Sequence, residues 1–382
     1  MINGYKEYTD IIMEEQFRKD AMDYLKNSLG LQDYSIPDQL PRLYKYRGIS
    51  DYSVNDLVEK RFTATSIGSF NDLFDGAMQV YGDEEERKQR AQTDWERLEE
   101  LGRQCGFPGL LPHDSYVQTR ESYYRRESRS KFRMAEYLGT YVFCLSERND
   151  SVLMWAHYAN ENTGICIEYD FNSLAHYSLT RNCLFPVAYS SYPVNVLPLI
   201  GEDEKPDVMY PVDVATLCTA LNKAKIWEYE REWRFVEIDT KVKAQRIYKE
   251  SIKPKRVIFG NRFLKPLFYY EGDSDGTKRK CEEHYDRLLR LLDYMIQEHI
   301  EAAIAIPRVG NFELEIKNLS ATSLKRFILD KFHYRNKSDK MRYYHVIADE
   351  LFAWMEEGFP VDEFGNIIRS RRAIVRIEGC KD

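Results

Sequence analysis

The stretch Ile226 to Glu237 reads I-W-E-Y-E-R-E-W-R-F-V-E, and it constrains the fold more than any other part of the chain. Glu228, Glu230, Glu232 and Arg234 take every second position; Trp227, Tyr229, Trp233 and Phe235 lie on the alternate register. Side chains of a strand alternate between two faces. An extended reading therefore puts three carboxylates and an arginine on one side and aromatic rings on the other, towards a core. Like charges stacked on one face repel, so that face needs cationic partners, an open cleft or a ligand. Either the carboxylates act on a substrate, or they pair with Lys223, Lys225, Arg231 and Arg234 in a structural ion network.

A core of the required size is available. The chain has 382 residues, 43% of them hydrophobic, with 28 Tyr, 19 Phe and 5 Trp. No apolar run approaches the length of a membrane span. Met1 to Asp10 is polar and lacks a signal-peptide pattern, so the expected location is the cytoplasm. The net charge of -7 gives no global attraction to nucleic acid or anionic lipid. Seven scattered cysteines, none in C-x-x-C spacing, read as reduced thiols rather than a zinc site.

The periodicities predict an α+β protein built on a mixed or antiparallel sheet of short strands. Residues 1–36 read as an N-terminal helical segment, 37–320 as the core domain and 321–382 as a mixed extension. Strands are expected at Leu43 to Arg47, Phe62 to Ser66, Thr140 to Leu145, Ile165 to Phe171 and through the Glu-rich stretch. Residues 80–137, rich in Glu, Arg, Lys and Gln, read as a helical insertion. Cys281 to Ile300 carries Leu288, Leu289, Leu292, Met295 and Ile296 at helical spacing. No G-x-G-x-x-G or Walker A sequence supports a Rossmann or P-loop reading.

Five separated signatures carry a resemblance: L-Y-K-Y-R (Leu43 to Arg47), F-N-D-L-F-D-G (Phe70 to Gly76), F-C-L-S-E (Phe143 to Glu147), L-M-W-A-H-Y-A (Leu153 to Ala159) and W-E-Y-E-R-E-W-R (Trp227 to Arg234). Together they resemble the bacterial domain-of-unknown-function family 2971. The settings of that family imply a phage-defence or toxin-type effector. More distantly, the chain resembles ADP-ribosyltransferase-like proteins, which implies a split sheet and NAD as cofactor. In that class the second Glu of E-x-E stabilises the oxocarbenium ion formed as nicotinamide leaves, and the first orients or deprotonates the acceptor. An early Arg grips the phosphates and a Ser on a middle strand supports the site.

Carried over, the resemblance makes Glu232, Glu230 and Ser146 catalytic, with Arg47 on the pyrophosphate and Tyr46 and Tyr158 towards nicotinamide. Ser146 is followed by Glu147, where that class has Thr-Ser. Arg234 continues the Glu series and joins the cofactor-binding candidates. In M-W-A-H-Y-A, Trp155 and Tyr158 offer rings for stacking and His157 an acid or donor; the alternative is a packed core helix. The expected site is a cleft between Leu43–Arg47 and Glu228–Arg234, and the acceptor is a protein, a nucleic acid or water. Two rivals stand beside this. A metal-dependent nuclease or phosphodiesterase would use Asp72 and Asp75, with Glu230 and Glu232, to hold Mg2+ or Mn2+. A non-catalytic sensor or partner-binding protein would use the charged helices as its contact surface.

Overall fold

The computed structural model describes residues 15–107, 109, 112–131, 139–175, 178–200, 210–238, 245–248, 252–268, 273–332, 347, 348, 351 and 353. The strands in chain order are β1 (Leu43–Arg47), β2 (Phe62–Ser66), β3 (Thr140–Ser146), β4 (Ile165–Tyr169), β5 (Leu184–Pro186), β6 (Ala188–Ser190), β7 (Asn222–Ala224), β8 (Glu232–Ile238), β9 (Gln245–Tyr248), β10 (Pro254–Gly260), β11 (Glu301–Pro307) and β12 (Leu314–Leu319). The fold is mixed α+β with mostly antiparallel pairing; β10–β11 and β6–β7 are parallel. Among the described residues no helix is long and apolar enough to cross a membrane. Ile11 and Ile12, Arg133 and most of the C-terminal extension lie outside the described residues.

The chain divides into two compact units. The first comprises residues 1–40, 63–144 and 174–248. Here β2 pairs antiparallel with β3, β8 pairs with β3 and β5, and β6 runs parallel to β7. The helix Pro211–Leu221 is buried from Val214 onwards; that stretch is mostly apolar, and its Thr216 and Thr219 hydroxyls donate to helix carbonyls. It packs on the helix Glu15–Leu29, whose Phe17, Ala21, Met22 and Leu25 form the inward stripe. The insertion predicted from charge is a pair of long helices, Glu84–Gln104 and His113–Lys131. Asp83 opens the first with a capping box to Glu86.

The second unit comprises residues 41–62, 145–173 and 249–382. Its strand order is β12-β11-β10-β4-β1. On its other edge β1 pairs antiparallel with the end of β3, where Tyr44 lies opposite Ser146. The helix Asp275–Gln297 turns Leu288, Leu291, Leu292 and Met295 inwards and packs against the helices Asp51–Val58 and Ala321–Phe332. Central β4 is buried on both faces, including Glu168, which is paired with Arg256 at 2.6 Å and Arg42 at 3.1 Å.

Candidate functional site

The Glu-rich stretch does not form one strand. Lys225–Glu230 is a 3-10 helix, Arg231 is left-handed at φ 43, and β8 begins only at Glu232. The expected single face of Glu228, Glu230 and Glu232 is therefore corrected. Glu228 is exposed on the 3-10 turn, whereas Glu230 and Glu232 are 2% and 5% exposed. Within β8 the period of two does hold for Glu232 and Arg234, which share a face. Trp233 and Phe235 are buried on the other, while Trp227 stays half-buried.

Five charged side chains of the first unit converge here. Lys223 Nζ lies 2.6 Å from Glu230 Oε2 and 2.8 Å from Glu232 Oε2. Arg234 donates to both oxygens of Glu232, from Nε at 2.9 Å and from Nη2 at 3.0 Å. The same Nη2 is 2.7 Å from Asp75 Oδ1, an ion pair not aligned as a hydrogen bond. Arg234 Nη1 donates to the Ala220 carbonyl at 2.6 Å, and the guanidinium carbon is 5.7 Å from the centre of the Phe70 ring. Tyr189 Oη accepts from the Glu232 amide at 2.8 Å.

The electrostatics follow from burial and pairing. Burial alone would raise Glu232, but Arg234 and Lys223 outweigh it and hold its carboxyl well below the ordinary range. Burial likewise opposes the charge of Lys223, yet Glu232, Asp75 and Glu230 raise it. Asp75 goes the other way: burial raises it, and Arg234 only partly compensates. Three carboxylates share two cations, and Asp75 bears the deficit.

The F-N-D-L-F-D-G segment is the loop that delivers Asp75. Asp72 Oδ1 accepts from the Phe74 amide at 3.0 Å, an Asx turn. That turn buries Asp72 and Asp75 and leaves Leu73 and Phe74 exposed. Among the described residues no group of three or more His, Cys, Asp or Glu side chains is arranged to hold a metal ion.

The remaining candidates belong to the second unit. Arg47 Nη1 is 3.1 Å from Asp56 Oδ2, and its guanidinium carbon sits 5.1 Å from the Tyr52 ring centre. Tyr46 donates its hydroxyl to the Arg148 carbonyl at 2.9 Å and meets Trp155 edge-on at 5.2 Å. Trp155 is fully buried and its indole N–H donates to the Asn149 carbonyl at 2.9 Å. Ser146 Oγ accepts from the Arg148 amide at 3.0 Å. On the helix Val152–Tyr158, His157 is exposed and Tyr158 half-buried, their rings 6.2 Å apart. Glu230, Glu232, Arg234 and Asp75 are thus gathered in one unit, and Tyr46, Arg47, Trp155, His157 and Tyr158 fall in the other.

A pocket of about 300 Å3 opens beside the ion cluster. It is lined by Phe74, Ala77, Ser190, Tyr192, Asn222 and Ala224, among others. Several of these adjoin the cluster in the chain: Phe74 precedes Asp75, Asn222 and Ala224 flank Lys223, and Ser190 follows Tyr189, which accepts from the Glu232 amide. On β7 the alternation sends Lys223 to the cluster and its two neighbours to the pocket. The Asn222 amide is committed to the wall: it donates to Ala188 O at 3.1 Å and Ser190 Oγ at 2.8 Å and accepts from the Val194 amide at 2.8 Å. Sequence reasoning missed Phe74, Tyr192 and Tyr189 as site residues. The available signals were the second ring of F-N-D-L-F-D-G and the turn-forming S-S-Y-P at Ser190 to Pro193.

Residues 154–235 match the model of a family described as a protein of unknown function (DUF2971). That span takes in L-M-W-A-H-Y-A from Met154 onwards and the whole of W-E-Y-E-R-E-W-R. No curated protein and no solved structure matches the chain.

Proposed function

We propose that the first unit binds an NAD-type nucleotide, seating a planar ring in the pocket lined by Phe74 and Tyr192, and that glycosyl transfer from NAD to water or to an acceptor follows from it. The observation that carries the reading is the mooring of the pocket walls: two lining segments hold an ion of the buried cluster one residue away, Asp75 beside Phe74 and Lys223 between Asn222 and Ala224, and a third holds Tyr189, whose hydroxyl accepts from the Glu232 amide. A pocket whose walls are pinned in this way is pre-organised, which lowers the entropy cost of binding. Its volume is at the small end of ligand sites and fits a single ring system. In the reaction the nicotinamide would leave with the electron pair of its glycosidic bond, and the acceptor oxygen would attack the oxocarbenium carbon and lose its proton.

A second reading, binding without turnover, is favoured by one observation. Both oxygens of Glu232 are engaged by Lys223 and Arg234. A carboxylate so neutralised offers little field to a developing cation and accepts no proton near neutral pH.

The experiment incubates the purified chain with NAD, measures free nicotinamide and, in parallel, NAD binding by calorimetry. Turnover by the wild type that is lost in Glu232→Gln and Phe74→Ala supports transfer. Binding that Phe74→Ala weakens, with no nicotinamide released, selects the second reading. Phe74 is 54% exposed, so its truncation is expected to cost little stability, which the urea midpoint of Phe74→Ala checks. Absence of NAD binding at millimolar concentration overturns both.

A further inference from the structure

The three most exposed large apolar side chains described in the first unit are Ile226 at 79%, Tyr192 at 76% and Leu73 at 72%. They come from three separate segments, and each segment supplies a wall of the ring pocket. Tyr192 lines it, Leu73 precedes the lining Phe74, and Ile226 stands two positions after the lining Ala224. Consecutive Cα atoms are about 3.8 Å apart, so the two that do not line the pocket start within about 8 Å of a residue that does. Single exposed apolar side chains are ordinary, whereas a group gathered round one opening marks an interaction surface. With Phe74 these residues expose on the order of 500 Å2, at the upper end of what a monomer presents in one patch.

Local structure holds these side chains outwards. Asp72 accepts from the Phe74 amide at 3.0 Å, and the turn so closed leaves Leu73 outside. Ser190 donates its hydroxyl to the Tyr192 carbonyl, just ahead of Pro193. Ile226 lies on the 3-10 helix Lys225–Glu230, which Trp227 anchors: its ring centre is 5.2 Å from Lys223 Nζ and 6.0 Å from that of Tyr229. Lys225 and Glu228 flank Ile226 on the same turn. Both are exposed, and neither forms an ion pair or a side-chain hydrogen bond with a described residue. Positions three apart on a 3-10 helix share a side, so a cation and an anion stand together beside the apolar rim.

We propose that this rim is the contact surface for a second copy of the chain, the two copies meeting about a twofold axis with Ile226 of each packed against Leu73 and Tyr192 of the other. A twofold contact requires one patch to carry both members of every pair. This patch carries projecting side chains and a hollow of about 300 Å3 side by side. It also carries both signs of charge, so that Lys225 of one copy meets Glu228 of the other and the reverse pair forms across the axis. The area agrees: a standard interface takes about 800 Å2 from each partner, with an apolar centre inside a polar margin, and the rim supplies that centre. The ring pocket opens within the contact, so the second copy shields the outer side of whatever the pocket holds.

The test is analytical ultracentrifugation of the full chain, without nucleotide, between about 1 and about 100 μM. The wild type is expected to be dimeric at the upper end. Ile226→Glu and Leu73→Glu, on different segments, should each raise the dissociation constant by about 30-fold or more. Both side chains are largely exposed, so the urea midpoints of these variants at the dilute end should stay near that of the wild type. Lys225→Glu or Glu228→Lys alone should weaken the dimer by about threefold, because like charges then face each other across the axis. The double change Lys225→Glu with Glu228→Lys should restore it. A wild type that stays monomeric at about 100 μM, a dimer that Ile226→Glu and Leu73→Glu leave intact, or a charge swap no better than its single changes overturns the proposal. No nucleotide enters these measurements, so the contact and the NAD reading fail separately.

Discussion

Arg234 grips Glu232 through two hydrogen bonds, 2.9 and 3.0 Å long, and the arginine has no exposed surface at all. A guanidinium in that position is stabilising only because its charge is met on several sides. Glu232 and Asp75 supply the anions, and the Ala220 carbonyl takes a further N–H at 2.6 Å. Removing it would take away the ion-pair partner of buried Asp75 and leave Glu232 to Lys223 alone.

Arg234→Met is therefore expected to cost about 3–5 kcal/mol, the range for breaking a buried ion pair from one side. Equilibrium urea unfolding followed by tryptophan fluorescence reads this directly, because Trp233 is buried on the same strand. A loss below about 1 kcal/mol would show that the cluster contributes little to the stability of the unit.

The acids of the cluster respond to pH with opposite signs. Glu232 is depressed in the fold, so its contribution is complete above the ordinary carboxyl range and is lost as pH falls through that range and below. Asp75 is raised in the fold by burial, so its ionisation opposes folding, and protonation on acidification relieves that cost. At pH 7 Glu232→Gln should consequently destabilise by about 3 kcal/mol and Asp75→Asn by clearly less. The gap should narrow as pH falls towards 3. Urea midpoints of the two variants measured at pH 7, 5 and 3.5 would contradict this if Asp75→Asn were the weaker protein throughout.

Much of the framework was legible because local patterns and tertiary demands agree. Leu43 to Arg47 and Phe62 to Ser66 are strands over the expected residues, and the charged insertion is helical as its composition implies. The Glu-rich stretch misled because alternation of charge and ring is also what a 3-10 turn followed by a strand produces. One left-handed residue, Arg231, separates the two halves, and Arg carries no sequence signal for that conformation. The ion network was legible as an alternative, since Lys223 and Arg234 stood nearby in the chain. The reach of Asp75 to Arg234 was not, because it joins segments about 160 positions apart that no local period relates. In M-W-A-H-Y-A, the burial of Met154 and Trp155 and the exposure of His157 follow from a single short helix turning one face inwards.

In the second unit, His284 is 7% exposed and lies 3.4 Å from the Phe263 carbonyl through Nε2. Burial pulls its pKa down to about 4, and that carbonyl only partly offsets the effect. The imidazole stays neutral in the fold while the unfolded chain takes up a proton near pH 6.5. The sign is thus a contribution complete above pH 6.5 and lost as pH falls towards 4, reaching roughly 3 kcal/mol. His284→Gln should flatten the stability profile between those limits. Unfolding curves of both proteins at pH 7 and pH 4.5 test it; parallel profiles would place the acid sensitivity elsewhere.

Three consecutive left-handed residues, Asn160, Glu161 and Asn162, with φ of 48, 55 and 67, end two positions before Gly164. A Cβ at Gly164 would lie 2.2 Å from the Arg47 carbonyl oxygen and 2.8 Å from that of Ala159. Both obstacles are backbone, on β1 and at the end of the helix Val152–Tyr158, so neither can rotate away. The Gly164 amide already donates to Ala159 O at 2.8 Å, which fixes the approach. Gly164→Ala should therefore destabilise by about 2–3 kcal/mol, at the upper end of overpacking costs. Glu161→Gly, one turn earlier, relieves a left-handed side chain and should be neutral to about 1 kcal/mol stabilising. Opposite shifts in melting temperature for these two neighbours would locate the constraint in contact at Gly164 and in backbone strain at Glu161; a shared direction would refute that division.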